Sequence, residues 1–553
     1  MSDYLVDERR KHVCIKGWSP LSLPECEKPT IPGIMSERSC AYYGARWVLG
    51  QIKDAIHLVH GPVGCAYYGQ VIRGKTYRIF SSDLQEKDII FGGEKKLIEA
   101  ILNAVRLFPE AKAVFVYTTC SVSLIGDDVN SVCKNAELVV KRPVIWVNCP
   151  GFCGVSQSEG HRIAYDILME RFVGTKVLES PTSYDINIIG EYDVKGDLQI
   201  IKTLLEKIGV RVLCTFTGDA SIDKMSYSHY AKLNVLHCRK TGFYFAERME
   251  KKYGIPSMKV SFFGMKQTSE ALRKIAVFFG LEERAEAVIE EEIEKVRRRI
   301  GKLYKRIEEK SVAMYFGGSR MGTMVKAFED LGMEVIITGS QFGRREDYEE
   351  AAKNVSDGTL IIDDANDMEI EEMLTIYKPD LFVGGTKEKY LSHKLGVPFL
   401  VFPQNTSPYA GFKGFCNFAE DVYKAIYNPV WKFVFGKRKE NKIIKIAVAS
   451  KDGIMINEHF GKASQFLIYK LLGDRVSLME LRKTNSGISG ECCDGEAKDH
   501  LDQIADLLFD CSIVYCGKAG HCAKEKLEER GIKVVMAEGS IEKVLHDLAT
   551  EAK

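Results

Sequence analysis

Three cysteines lie in turns rich in small residues, where a loop can bring sulfur close to an inorganic group. Cys65 is at the tip of the turn formed by residues 60–69, Cys40 precedes that turn, and Cys120 follows the apolar run Ala113–Tyr117. Thiolates in such loops ligate iron–sulfur clusters. Because we find three such cysteines rather than four, we expect a fourth ligand from elsewhere, such as a second chain. Packing as small core hydrophobes remains the alternative.

A second group of polar residues follows two further apolar runs. Gln157 and His161 are four residues apart, so that they share one face of a predicted helix. Cys238 lies between His237 and Arg239, and a thiol beside a cation has a lowered pKa and is ready to bind metal. The alternatives are a capping or packing role for His161 and a buried structural role for Cys238.

Glycine and acidic residues form two weaker candidates. The turn Gly317–Arg320 could cradle an anion on its backbone and on the Arg320 side chain, or it could be only a tight turn between a strand and a helix. Asp127 and Asp128 follow Gly126 and could bind metal, but capping of a helix is favoured.

The last hundred residues contain another set of soft ligands in loops. His459 lies in the segment Asn457–Gly461, and Cys492, Cys493 and Cys522 lie in later glycine-rich stretches. One histidine and several thiols suit an iron–sulfur or other thiophilic species. Zinc is the rival, although no paired C-x-x-C spacing supports it.

Short β-like runs alternate with amphipathic helical stretches, and these elements must position the candidate ligands. The alternation predicts an α/β fold, with several doubly wound, Rossmann-like parallel-sheet subdomains and a small C-terminal α/β domain. Ligands then bind beyond the carboxyl ends of the strands. Cys120 and Cys149 both fall at such ends.

Composition and chain pattern suggest four segments. Residues 1–30 read as an irregular arm, residues 31–435 as several α/β subdomains with a long connecting helix at about 282–310, residues 436–442 as a linker, and residues 443–553 as a separate domain. This division fits the length of 553 residues, which is too long for one core.

The charge and apolar content of the chain indicate which partners and which cellular location to expect. The formal net charge is +1 and charged residues make up 28%, so that we expect neither a nucleic-acid nor a membrane partner. We find no run of about 20 apolar residues and no apolar signal-peptide core. We therefore expect a cytoplasmic protein whose 16 cysteines are mostly reduced, some of them metal-bound.

Several of these motifs together resemble the nitrogenase component 1 family. The resemblance covers roughly residues 30–435 and rests on the segments His60–Cys65, Asp88–Leu97, Thr119–Asp128, Asn187–Tyr192 and Tyr253–Pro256. Residues 443–550 resemble the small iron–molybdenum-cofactor-binding domain of NifX-like proteins, of which the segment Asn457–Gly461 is the hallmark.

The resemblance implies one of two roles. Cys238 matches the cysteine that holds the large cofactor, but the stretch Phe402–Ser407 lacks the histidine that the catalytic subunit has there. That absence, with the fused carrier domain, favours a scaffold for cofactor assembly. Gln157, His161 and Arg320 match residues around the catalytic cofactor and favour the alternative, a catalytic α-type subunit of a nitrogenase or nitrogenase-like reductase.

The resemblance also implies cofactors and partners. Cys40, Cys65 and Cys120 would share a four-iron four-sulfur cluster with a NifN-like β-type subunit, in a heterotetramer. Cys238 would anchor the iron–molybdenum cofactor or its iron–sulfur precursor; Gln157, His161 and Arg320 would contact it and transient homocitrate, and His459 would hold it in transit. The nitrogenase iron protein would be the reductase. A cofactor donor and apo-nitrogenase as acceptor complete the partners.

Overall fold

The computed structural model describes most of the chain. The described residues are 12–17, 23–24, 40–67, 78–151, 157–237, 239–316, 320–341, 343–402, 407–431, 444–472, 475–484 and 495–551. Cys238, Cys492, Cys493, the glycines and serine of the 317–320 turn, residues 403–406 and the predicted linker at 436–442 lie outside them.

The chain begins with a short strand that crosses to a distant sheet. β1 (Val13–Ile15) runs antiparallel to residues 360–362. The segment predicted to be an irregular arm therefore contains a strand. Its backbone hydrogen bonds occupy an edge that would otherwise be open.

The first unit is a four-stranded parallel sheet in the order β3-β2-β4-β5. Its elements are α1 (Ala41–Leu49), β2 (Ala55–His60), β3 (Ile79–Ser81), α2 (Glu86–Phe91), α3 (Glu94–Leu107), β4 (Ala113–Thr118), α4 (Cys120–Ile125), α5 (Val129–Val140), β5 (Val144–Val147) and α6 (Gln157–Arg171). Every residue of β2 and β4 is buried, as expected for a parallel sheet covered on both faces. His60 pairs in register with Thr118, so that the turns after β2 and β4 leave the same edge of the sheet.

The second unit repeats this pattern with the order β7-β6-β8-β9. Its elements are β6 (Asp185–Ile189), α7 (Asp197–Lys207), β7 (Arg211–Thr215), α8 (Ile222–Ser226), β8 (Leu233–Leu236), α9 (Arg239–Tyr253), β9 (Ser257–Lys259) and α10 (Met265–Phe279). All its strand pairs are parallel. The carboxyl end of β8 leads directly to His237 and then to α9.

A long helix connects the second unit to the third. α11 (Glu282–Ile307) buries one stripe that includes Val288, Ile289, Val296 and Ile300 and leaves its charged side to solvent. The third unit contains β10 (Ser311–Tyr315), α12 (Met321–Asp330), β11 (Glu334–Ser340), α13 (Arg345–Asn354), β12 (Leu360–Asp363), α14 (Asp367–Tyr377), β13 (Leu381–Gly384), α15 (Glu388–Lys394), β14 (Phe399–Val401) and α16 (Gly411–Ile426). Its sheet order is β1-β12-β11-β10-β13-β14, with only β1 antiparallel to its neighbour.

The last unit is a small domain with a mixed sheet in the order β18-β17-β15-β19-β20. Its elements are β15 (Ile444–Ala449), β16 (Met455–Ile456), β17 (Gln465–Leu472), β18 (Arg475–Lys483), α17 (Gly495–Leu507), β19 (Ile513–Cys516), α18 (His521–Glu529), β20 (Lys533–Met536), β21 (Gly539–Ser540) and α19 (Ile541–Glu551). Core clusters cover both faces of this sheet. The α/β fold with parallel sheets and a small final domain confirms the predicted fold class.

Among the helices of the described ranges, none is long and apolar enough to cross a lipid bilayer.

Candidate functional site

The three cysteines of the first unit converge at one edge of its sheet. Cys40 immediately precedes α1, Cys65 lies in the turn after β2, and Cys120 opens α4. A Cβ atom on Gly151 would lie 2.8 Å from the Cys120 sulfur and 3.1 Å from the Cys40 Cβ. Only a residue without a side chain leaves room here, and the space it leaves lies beside two of the thiols.

Hydrogen bonds fix the backbone around these thiols. The Gly151 N–H donates to the Cys120 sulfur over 3.1 Å. The Tyr42 hydroxyl donates to the Cys65 carbonyl oxygen over 2.9 Å, and the Arg46 guanidinium donates to the same oxygen over 3.1 Å. Hydrogen bonds from Gly151, Tyr42 and Arg46 therefore fix the Cys120 sulfur and the backbone of the Cys65 turn.

Burial and neighbouring thiols affect the ionisation of these cysteines. Burial raises the pKa of Cys40, and the nearby Cys120 raises it further. Hydrogen bonds from the backbone lower the pKa but do not cancel this increase. The pKa of Cys65 is raised by burial and then by Cys40 and Cys120. A thiol with a raised pKa binds iron only with release of its proton.

The three thiols are not arranged around a single ion. Within the part of the chain that the structure describes, no three His, Cys, Asp or Glu side chains could hold one metal ion. A polynuclear cluster binds each thiolate through a different iron, so that its ligands stand farther apart. The donor set and the space at Gly151 fit an iron–sulfur cluster better than zinc.

A buried acidic residue joins the Cys65 turn to the loop before α3. Asp127 accepts from the Gly93 N–H over 3.1 Å and lies 3.1 Å from the His60 imidazole. His60 is fully buried. Asp128 instead caps α5 by accepting from the Ser131 N–H. Asp128 therefore caps a helix, as favoured from the sequence, and Asp127 links the turn that carries Cys65 to the loop before α3.

A second group of polar side chains lies at His237, which precedes Cys238 in the chain; Cys238 itself lies outside the described residues. Glu191, almost fully buried, forms an ion pair with His237 and lies 3.5 Å from the Arg320 guanidinium. Burial raises the pKa of Glu191, but His237 and Arg320 outweigh it and lower the value to about 2. Arg320, predicted to contact an anion, thus already contacts a carboxylate.

A cavity of about 400 Å³ is lined by residues from all three of the units before the last domain. We call it the large pocket. His161 of α6, Tyr244 and Glu247 of α9 and Arg344 before α13 line it. Gln157 lies one helical turn before His161 and does not line this cavity. The structure therefore brings His161, but not Gln157 or Arg320, into the large pocket.

Sequence reasoning missed two residues: Arg344 in the large pocket and Glu191 beside His237. Arg344 follows β11 at the carboxyl end of a parallel strand, which is the signal that could have identified it. Glu191 follows β6 in the same way. The neighbours of each residue include side chains of another unit, so that these contacts depend on the packing of separate sheets.

His459 lies in the last domain beside two lysines. Its Nδ1 accepts from the Gly461 N–H over 3.2 Å, and its loop pairs with Lys518. Partial burial, followed by Lys462 and Lys518, lowers the pKa of His459. The neutral imidazole therefore carries its proton on Nε2, where it can donate to an anionic group held by the lysines. Cys522 is exposed and is the second residue of α18, four positions after Lys518.

Comparisons with known proteins match both parts of the chain. The model of the nitrogenase component 1 type oxidoreductase family matches residues 40–427, and that of the dinitrogenase iron-molybdenum cofactor family matches residues 442–551. The solved structure titled nitrogenase Cp1 at pH 5 covers 77% of this chain and 96% of its own, at 35% identity and a TM-score of 0.72.

Curated relatives are of two kinds. The nitrogenase iron-molybdenum cofactor biosynthesis protein NifE of Methanococcus maripaludis is 45% identical over 435 residues, which cover 77% of this chain and 90% of that protein. The nitrogenase molybdenum-iron protein alpha chain of Methanothermobacter marburgensis is 42% identical over 452 residues, which cover 78% and 96%. Identity alone does not separate the two kinds.

Proposed function

The chain belongs to the nitrogenase component 1 family, and from that premise we propose that it is a NifE-like scaffold for assembly of the iron–molybdenum cofactor. It holds an iron–sulfur precursor while heterometal and homocitrate are inserted, and then passes the product on. The observation that carries this proposal is the second family match at residues 442–551. A cofactor-carrier domain on the same chain serves an assembly protein and has no evident use on a catalytic subunit.

The contacts of the described residues support different roles for the candidate ligands. Cys40, Cys65 and Cys120 would hold a four-iron four-sulfur cluster together with a cysteine of a NifN-like partner subunit. Cys238 would anchor the precursor next to His237, which pairs with the buried Glu191, and His161 would contact the precursor from the large pocket. With no histidine in the stretch Phe402–Ser407, the precursor would be held at one end and released more readily.

Partners and carrier follow from the same proposal. The nitrogenase iron protein would deliver electrons with ATP hydrolysis, a cofactor donor would supply the precursor, and apo-nitrogenase would accept the product. His459 would hold the cofactor in transit, because its Nε2–H and the neighbouring Lys462 and Lys518 suit an anionic cluster. The short tether keeps this domain at high effective concentration near the scaffold.

The second candidate function is that of a catalytic α-type subunit. The specific observation in its favour is that His161 is buried against the large pocket, as a residue that lines a catalytic cofactor would be. No catalytic residue is assigned under the scaffold proposal.

The anchoring role of Cys238 is tested by Cys238→Ala in the anaerobically purified complex. The variant should lose the large cluster and keep the small one, as measured by iron content and electron paramagnetic resonance. Retention of both clusters would refute the anchor. Transfer of cofactor to apo-nitrogenase, described at the end of the Discussion, tests the scaffold role itself.

A further inference from the structure

A second cavity, of about 170 Å³, lies beside His237. We call this cavity the basic pocket, because three lysines line it. They are Lys259 at the end of β9, Lys274 of α10 and Lys326 of α12. His237 forms part of its wall. The basic pocket therefore reaches the residue next to Cys238 without passing through the large pocket.

Only part of the positive charge in the basic pocket is neutralised. Glu350 pairs with Lys259, and Glu270 pairs with Lys274 over 2.6 Å. Among the described residues Lys326 forms no ion pair of its own, although it helps to lower the pKa of Glu270 after the hydrogen bond from Lys274. Three lysines thus line the pocket together with two glutamates, and Glu329, which is outside the lining, also interacts with Lys326.

Neutral donors also face this space. Ser261 and Thr323 line the basic pocket, and each hydroxyl can donate a proton. The buried Gln267 cannot donate, because its amide N–H groups are used on the carbonyl oxygens of Phe263 and Thr323. Lysine ammonium and hydroxyl donors around a small polar cavity are the groups that bind oxyanions.

The large pocket has the opposite charge. Four carboxylates line it against two arginines: Glu159, Glu247, Glu346 and Asp347 against Arg162 and Arg344. Cavities lined by one sign of charge attract ions of the other sign and repel ions of the same sign. A free anion would therefore enter the basic pocket, which His237 lines, more favourably than the large pocket.

We propose that the basic pocket binds a small, multiply charged oxyanion, either a tetrahedral dianion or a carboxylate, beside His237. Lys326, which forms no ion pair within the described ranges, supplies a positive charge, and Ser261 and Thr323 supply hydrogen bonds. The further step, that this anion is one consumed in cofactor assembly, rests on the proposed function, whereas binding itself does not.

Equilibrium dialysis of the full, cluster-free chain at low ionic strength tests the proposal, with molybdate, sulfate and citrate as separate probes. We expect saturable binding of at least one probe, weakened about tenfold or more by Lys326→Ala, which removes a charged donor. The matched control is Lys302→Ala on the exposed side of α11, which should leave the affinity within about twofold, as expected for a distant surface charge.

The probes and variants separate the outcomes. Preference for molybdate and sulfate identifies a tetrahedral dianion, and preference for citrate identifies a carboxylate; either supports the site. Absence of saturable binding for all three, or equal loss in the two lysine variants, overturns it. Cys238→Ala should bind the probe as the parent chain does, so that failure of the cluster anchor and failure of the anion site are distinguishable.

Discussion

At the scale of single residues, the three candidate cluster ligands of the first unit make the most direct prediction. Replacing Cys40, Cys65 or Cys120 by alanine should remove most of the small cluster, because each thiolate would bind a different iron. Cys133→Ala is the matched control, since Cys133 is buried in α5 of the same unit. Iron analysis and electron paramagnetic resonance measure the result. Full cluster content in all three variants would contradict the assignment.

Asp197 makes a prediction about pH. Burial, and then Glu191, raise its pKa from 3.8 to about 7, although the Ala410 and Tyr409 N–H groups donate to it. The folded chain therefore binds one more proton than the unfolded chain between about pH 4 and 7. The proton on Asp197 therefore stabilises the folded chain fully below this pH window. That contribution to the free energy of unfolding is lost as the pH rises through the window, by up to about 1.4 kcal/mol per pH unit.

Asp197→Asn should remove that pH dependence, because asparagine does not titrate. Urea unfolding of the cluster-free chain at pH 5 and pH 8 measures it. The parent chain should lose more unfolding free energy between these pH values than the variant. Equal losses in the two proteins would show that Asp197 has an ordinary pKa.

Sequence reasoning reached some of these residues and missed others for a physical reason. Cys40, Cys65 and Cys120 could be chosen because each lies in a recognisable turn, and the structure places them at one sheet edge. Glu191, Arg344 and Lys326 were missed, because each lies beside residues of another unit and the sequence does not show how the units pack. The role of each predicted ligand stays a prediction.

At the scale of elements, two glycines bring α1 and α6 into backbone contact. A Cβ on Gly160 would lie 1.9 Å from the Ala41 carbonyl oxygen, and one on Gly44 would lie 1.9 Å from the Gln157 oxygen. Since α1 follows Cys40 and α6 carries His161, this contact joins the elements behind both candidate sites. A change in the distance between the helices should disturb both.

Gly160→Ala must separate the two helices, and we expect it to cost about 1–3 kcal/mol of stability, as overpacking does. Iron content should fall together with the melting temperature. In the control Gly301→Ala, within α11, the new Cβ meets nothing within 4 Å, so that this change should stabilise by about 0.5–1 kcal/mol. An unchanged melting temperature and full iron content in Gly160→Ala would refute the role of the contact.

Element positions were largely predictable, and contacts between elements were not. The apolar run Ala113–Tyr117 predicts the strand found at Ala113–Thr118, and the charged segment at 282–310 predicts the helix Glu282–Ile307. Val13–Ile15 was missed, because it is short and its partner strand lies almost 350 residues later, as in the pairing Val13 with Ile362. Local pattern contains no information about such a partner.

At the scale of the whole molecule, the tethered last domain predicts a change in rate. Deleting residues 443–553 should leave cluster maturation on the rest of the chain intact but slow transfer about tenfold or more, because the effective concentration of the carrier is lost. Transfer is measured as activity gained by apo-nitrogenase over time. The separately added domain should restore the rate only at high concentration. A truncated chain that transfers at the full rate would contradict the carrier role.

We propose that this chain assembles cofactor and passes it on, and a transfer assay tests that role. The assay uses the full chain with its native partner, purified anaerobically and supplied with the iron protein, ATP, molybdate and homocitrate. Cofactor-deficient nitrogenase is then added. We expect the acceptor to gain activity while the complex alone reduces little substrate. No activity in the acceptor, together with substrate reduction by the complex itself, would refute the scaffold role and identify the chain as a catalytic subunit.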